Sequence, residues 1–338
     1  MFLMVLVIGL AIAFDFVNGF HDASNSIATI VATRVLSPKR AVLWAASFNF
    51  AAVFIFDTGV AKTVGSGMVA LEYVTLPIIL TGLAGAIVWG LTTWWFKFPT
   101  SSSHALLGGY AGAAITHHAL QKGWERGFDV IVPSGWCGTL LFIVLAPALG
   151  MLLGTLSMKA VMLLTARLHR KQSDKWFDRL QLLSSAFLSL THGGNDAQKT
   201  AGIVAGALLT AGYTDHFAIP AWVLFISYGT MALGTLFGGW RIVDTMGRRL
   251  TRLKPISGFC AESSAAASIM LATLLHLPVS TTHVTTGSIL GTGAARQYKA
   301  VRWNLAGNIF IAWILTIPMA ALISSLLTLV LKFACPLA

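Results

Sequence analysis

Charge is scarce in this chain. Asp, Glu, Lys and Arg make up 10% of its 338 residues, where a soluble domain carries about a quarter, and 56% of the residues are hydrophobic. A water-surrounded globule is excluded; a polytopic membrane protein is expected. Acidic residues are the scarcest, 12 against 23 Lys and Arg, which leaves a formal net charge of +11. The basic residues sit in short gaps between apolar runs, as cytoplasmic loops do, so no nucleic-acid partner is expected. Cysteine is nearly absent. Cys137, Cys260 and Cys335 lack CxxC spacing, which excludes a disulfide framework and a zinc site and leaves apolar filler. The N-terminal stretch MFLMVLVIGLAIAFDF lacks a basic leader and runs straight into Asp15, so it reads as a retained first span and not a cleaved signal peptide.

Apolar runs long enough to cross a bilayer occupy 1–33, 41–62, 74–95, 137–165, 181–212, 217–239, 257–275 and 303–331. Two shorter runs, 104–117 and 284–295, either cross or turn back as re-entrant hairpins. The runs 1–33 and 181–212 are too long for one straight span and contain polar motifs, which predicts broken helices there. Sixteen of the 23 basic residues fall in four gaps: Arg34 to Arg40, Arg167 to Arg179, Arg241 to Lys254 and Arg296 to Arg302. With all four gaps on the cytoplasmic side, the chain threads as about ten spans with both termini outside. Five spans per half is an odd number, so the second half enters from the opposite side. The expected organisation is a first transmembrane repeat over 1–165, a basic cytoplasmic connector over 166–180, and a second, inverted repeat over 181–338. The fold class is all-α, with broken or re-entrant helices at the repeat interface.

What the chain does have is duplicated. FPTSSSH (Phe98 to His104) returns as LPVSTTH (Leu277 to His283), and one register pairs both Pro99 with Pro278 and His104 with His283. GFHDASNS from Gly19 returns as GGNDAQKT from Gly193, so that Asp22 matches Asp196 and Asn25 matches Lys199. Two different motifs recurring in the same order indicate a duplicated fold with one composite site. In a membrane chain that arrangement belongs to transporters.

Each part of the composite site has a chemistry. A proline, three hydroxyl residues and a His opening a Gly/Ala-rich run mark a helix start. Ser101, Ser102 and Ser103, with Ser280, Thr281 and Thr282, offer hydroxyls beside unpaired N–H groups, which suits an oxyanion. The bland reading is plain N-capping. His104 and His283 more simply fix the helix starts. Asp22 and Asp196 are costly in a bilayer and need a partner or a cation, with Asn25 and Asn195 as companion ligands. Lys199, one turn after Asp196, neutralises it or grips an anion. His21 stands where the other half has Asn195, and a titratable ring there suggests proton handling. Glu262, among small residues at the head of a span, is either a third carboxylate on the path or an interfacial group. The coupling-ion set is His21, Asp22, Asp196 and Glu262. Asp15, Asn49 and Asp57 are weaker candidates.

At these motifs the chain resembles the inorganic phosphate transporter (PiT) family. The matches are NGFHDASNSIATIVATRVLSP from Asn18, FNF at 48–50, FPTSSSHALLGG from Phe98, THGGNDAQKTAGI from Thr191 and LPVSTTHVTTGSILGTGA from Leu277. The resemblance implies import of inorganic phosphate, and carries the family's binding residues to Asp22, Asn25, Ser101 to Ser103, Asn195, Asp196, Lys199 and Ser280 to Thr282. The His in NGFHD resembles the low-affinity bacterial branch, which implies symport with protons, often of a metal–phosphate complex; members with Asn there are often sodium-driven. The short connector implies a prokaryotic, multi-pass inner-membrane protein. Glu262 departs from the Gln of several relatives. Some members carry sulfate.

Two other classes fit the motifs less well. A membrane hydrolase would need a triad, and adjacent Ser103 and His104 on one helix start point in different directions. A channel would build its filter around an oligomer axis, not within one chain. No catalytic residue, resident metal or cofactor is expected, only phosphate, a coupling cation (a proton in preference to sodium), the bilayer and, among assembly states, a homodimer.

Overall fold

This chain buries many polar and charged residues beside an apolar core and leaves large apolar side chains exposed. The computed structural model describes residues 1–167 and 170–334; His169 of the basic connector and Cys335 lie outside the described residues. Asp22, Asn25, Asp196, Lys199 and Glu262 are each 2% exposed or less, while Leu140, Leu141, Leu152 and Leu156 line an open apolar face. Only a hydrocarbon surround makes that arrangement favourable.

Twelve α-helices and no strand occur among the described residues. They are α1 (Phe2–Ala32), α2 (Pro38–Ala51), α3 (Gly59–Gly67), α4 (Leu76–Trp95), α5 (Ser102–Lys122), α6 (Pro133–Thr165), α7 (Arg170–Thr210), α8 (Ala221–Phe237), α9 (Trp240–Asp244), α10 (Pro255–Leu274), α11 (Thr281–Gln297) and α12 (Trp303–Ala334). A π-helical turn, Thr245–Arg249, extends α9. Four helices, α1, α4, α6 and α12, are long and apolar enough to cross a membrane, and six spans result if each of two bent pairs counts as one. Of the helices carrying the polar motifs, α1 passes that test, whereas α5, α7 and the 17-residue α11 do not.

The breaks are not where the motifs suggested. Both Asp motifs lie inside uninterrupted helices, α1 and α7. Asp22, Asn25, Asp196 and Lys199 find hydrogen-bond partners on neighbouring elements, so the backbone ladder has no reason to open. The breaks fall instead between Pro38–Phe54 and Gly59–Gly67, bent by 82°, and between Ala221–Phe237 and Trp240–Arg249, bent by 63°. In the second, Gly238 adopts φ +67°, a value that favours glycine. The connector over 166–180 is also not a loop throughout: α7 begins at Arg170 and runs 41 residues, about 60 Å, twice the hydrocarbon thickness. The runs 104–117 and 284–295 lie within single helices, α5 and α11, with no hairpin inside either.

Glycine pairs matched by the duplication hold the two halves together. A Cβ on Gly108 would strike the backbone of Ile317, and one on Gly112 that of Ala321, so α5 of the first half lies flush on α12 of the second. Their duplicates Gly287 and Gly291 meet Pro147 and Met151, so α11 lies flush on α6. The same exchange recurs between Gly19 and Met231 and between Gly193 and Asn49. Each half therefore packs its motif helices against the other half. With no hydrophobic effect between helices in lipid, this close backbone approach is the main source of association.

Gly112→Val is expected to destabilise the fold by about 1–3 kcal/mol, seen as an earlier thermal unfolding of the detergent-solubilised protein. Gly9→Val, where an added side chain meets nothing within 4 Å, should leave the transition in place. Equal transitions for both variants would show that the α5–α12 approach is not tight.

Candidate functional site

Each hydroxyl motif follows the same turn. Helix α4 ends in a six-to-one closure, the Phe98 N–H donating to the Thr93 carbonyl at 3.0 Å and the Lys97 N–H to Trp94 at 3.0 Å. Helix α10 ends likewise, Leu277 donating to Ala272 and His276 to Thr273, both at 2.9 Å. Lys97 (φ 65°) and His276 (φ 58°) occupy the left-handed position that such endings require. The chain then runs extended through the proline and starts a new helix at the following hydroxyls.

The first hydroxyl of each motif is a cap. Ser101 Oγ accepts the His104 N–H at 3.1 Å, and Ser280 Oγ accepts the His283 N–H at 3.3 Å. The bland reading thus describes those two residues, and it leaves the second and third hydroxyls for the interior. His104 and His283 do sit at the helix starts, through their backbone. Their rings, equivalent under the duplication, face each other with centroids 4.8 Å apart, and His283 stacks on Trp313 at 3.9 Å. Trp313 in turn donates to the Pro99 carbonyl at 2.8 Å, pinning the extended stretch before α5.

The side chains that converge come from α1, α7, α5 and α11. Lys199 Nζ donates to Asp196 Oδ1 at 2.5 Å, to Ser103 Oγ at 2.5 Å and to the Val279 carbonyl at 2.7 Å. Thr281 donates to Asp196 Oδ2 at 2.9 Å, and Thr282 to Asp22 Oδ1 at 3.4 Å. The Asn25 amide donates to Thr282 at 2.9 Å and to Thr281 at 3.3 Å. Asp22, Asn25, Ser103, Asp196, Lys199, Thr281 and Thr282 therefore form one hydrogen-bonded cluster. Ser102 is buried at the start of α5 but joins no hydrogen bond of this network among the described residues.

Two expected members point elsewhere. The Asn195 amide donates to Thr273 Oγ1 at 2.9 Å and to the Leu277 carbonyl at 3.2 Å, tying α7 to the end of α10. Its counterpart His21 behaves similarly at Nε2, 3.3 Å from Thr93 near the end of α4. His21 differs in its second nitrogen, which pairs with Asp22 Oδ1 at 2.8 Å. Glu262 stands apart from the cluster. It accepts from Thr29 at 2.5 Å, Gln181 at 2.9 Å and Ser184 at 2.5 Å, and so joins α1, α7 and α10. It is fully buried. Of the weaker candidates, Asp57 forms an exposed pair with His276 at 3.1 Å, and Asn49 donates to Thr235 at 3.1 Å.

One central residue escaped the sequence reading. His192 Nε2 lies 3.1 Å from Asp196 Oδ2, off-axis for a hydrogen bond, and its Nδ1 lies 3.2 Å from Ser26 Oγ and 3.3 Å from Asn49 Oδ1. The signal was present: the register that pairs Asp22 with Asp196 also pairs Asn18 with His192. Asp22, His192 and Asp196 bring one donor atom each to within 4.8 Å of one another, a grouping able to hold a cation.

This arrangement has hydroxyl and ammonium donors suited to a small oxyanion beside a grouping able to hold a cation. Comparisons with known proteins point the same way. The model of the phosphate transporter family matches residues 18–172 and 160–324. A probable low-affinity inorganic phosphate transporter of Rhizobium meliloti is 50% identical over 325 residues, covering 96% of this chain and 95% of the relative. Its counterpart in Bacillus subtilis is 40% identical over 334 residues, covering 98% and 97%. A solved structure described as the sodium-dependent phosphate transporter superposes with a TM-score of 0.87 at 25% identity, covering 98% of this chain and all of that one. With helices, paired motifs and relatives in agreement over nearly its whole length, this multi-pass membrane chain belongs to the phosphate transporter family, a family of carriers and not of enzymes.

Proposed function

We propose that the chain imports inorganic phosphate across a prokaryotic cell membrane by symport with protons, and that the oxyanion binds where α5 and α11 begin. The observation that carries this reading is the position of Lys199. It is the one ammonium in the cluster among the described residues, and its hydrogen bonds reach both helix starts, through Ser103 and Val279. A phosphate oxygen arriving there meets that ammonium, the hydroxyls of Ser103, Thr281 and Thr282, and two positive helix ends. Asp22 and Asp196 supply selectivity. Monohydrogen phosphate donates its proton to a carboxylate, whereas sulfate has none to donate and meets only repulsion. The mixed oxygen and nitrogen donors of Asp22, His192 and Asp196 suit a divalent metal better than an alkali ion, which supports a metal–phosphate complex as cargo.

The substrate reading is tested in proteoliposomes. Thr281→Val removes a donor to a charged partner, worth about 1.5–3 kcal/mol, so half-saturating phosphate should rise at least about ten-fold. Sulfate displacing phosphate at equal concentration would overturn the assignment.

His21 supports proton coupling, because its ring links the Asp22 carboxylate to the hydroxyl of Thr93. Under an imposed pH gradient without sodium on either side, phosphate should accumulate. His21→Asn should reduce that accumulation more than it weakens phosphate binding, and His104→Asn should not. Uptake that needs a sodium gradient would favour the sodium-coupled reading, as the description of the solved relative suggests for that protein.

The exchanged packing of α5 on α12 and α11 on α6 also supports two inverted five-span repeats, 1–165 and 181–338, and the four basic gaps support an arrangement with both termini outside. Single cysteines at Asp215 and Lys175, both exposed, in a cysteine-free background should label from opposite sides. Labelling of both by an impermeant reagent added outside would sink this topology.

A further inference from the structure

One face of α1 leads away from the cluster. Asn25 lies in it, Thr29 one turn on donates to Glu262, and Thr33 a further turn on donates to Gln181 Oε1 at 2.9 Å. Gln181 and Ser184 also donate to Glu262, so three helices are laced together across this level. Beyond the lacing is a cavity of about 500 Å³, room for roughly fifteen water volumes. Ala32 and Ser257 line it beside Arg248, Arg252, Lys254 and Arg296, and no acidic residue is among its lining. Arg248 leans on Asp244 at 4.0 Å, whereas Arg252 and Arg296 have no acidic partner among the described residues.

The cavity is not a general property of the duplicated fold. The register that pairs His104 with His283 carries Arg296 to His117, and the cavity there holds only about 10 Å³. A cavity beside Leu277 and Pro278, about 320 Å³, has no charged residue in its lining. Of these three cavities, the first is both open and strongly cationic.

We propose that this cavity is an anion vestibule: a second site for a phosphate-class oxyanion on the cytoplasmic side, divided from the central site by the Thr29–Gln181–Ser184–Glu262 lacing. This rests on the proposed phosphate transport and extends it to the release side. A low-dielectric wall carrying four cations concentrates anions at the mouth. The lacing keeps the vestibule from merging with the cluster, so an ion crossing it must part Thr29 or Gln181 from Glu262. The same chemistry accepts a free phosphate ion or the headgroup of an anionic inner-leaflet lipid.

The test uses the full chain with Arg252→Gln/Arg296→Gln, and as control Arg249→Gln/Lys299→Gln, which removes equal charge outside the cavity wall. Uptake of radiolabelled inorganic phosphate is followed in inside-out and right-side-out membrane vesicles, and retention of phosphatidylglycerol on the purified protein is measured in parallel. In inside-out vesicles half-saturating phosphate should rise at least about five-fold for the cavity variant and not for the control. Right-side-out values should stay within about two-fold for both. Unchanged transport with a cavity-specific loss of phosphatidylglycerol would keep the site and assign it to a headgroup. No difference between cavity variant and control in either measurement would overturn the vestibule. Failure of the unaltered protein to transport phosphate in either vesicle would count against the proposed function alone, since lipid retention is still read.

Discussion

Everything at the centre of this molecule depends on one buried ammonium being fully paired. Lys199 carries a charge into a bilayer-embedded bundle, where an uncompensated ion costs several kcal/mol. Asp196 cancels the charge, while Ser103 and the Val279 carbonyl take the remaining donors. To satisfy one lysine the chain must bring α7 of the second half against the start of α5 in the first and the turn before α11. The turns, caps and extended prolines are the means of doing so. Asp196 is itself balanced by Thr281 and by the neighbouring His192 ring, so the cost of the ion pair is spread over several helices.

On the proposed phosphate reading, the ion pair lets the same cluster bind and release. A cation already neutralised by a carboxylate attracts an anion only weakly at long range, and strongly only once the anion takes over its hydrogen bonds. The two helix starts contribute partial positive charge without adding another ion.

Much of this was legible in the sequence, because helix starts and duplications leave local marks. The hydroxyl motifs, the pairing of Asp22 with Asp196 and the asymmetry between Asn25 and Lys199 could all be read directly. The continuity of α1 and α7 could not. Asp, Asn and Ser in a helix interior weaken a local reading, and only neighbours distant in sequence satisfy them laterally. Asn195 shows the same limit: spacing places it in the motif, but its direction depends on Thr273 and Leu277, far along the chain. His192 was missed because it sits outside the shared string, although the duplication pairs it with Asn18. The two bends lie at Ile55 to Thr58 and at Gly238 and Gly239, where the second left a glycine signal and the first little beyond Asp57.

The flush contact of α5 on α12 has a consequence for how the chain is made. Gly108 meets Ile317, a residue synthesised about 200 positions later. At ribosomal rates of about 5–20 residues per second, α5 waits roughly 10–40 s for the surface it must lie against. During that interval its small-residue face is open to lipid or to a holding partner in the insertion machinery. The packing of α5 is therefore completed only when α12 arrives.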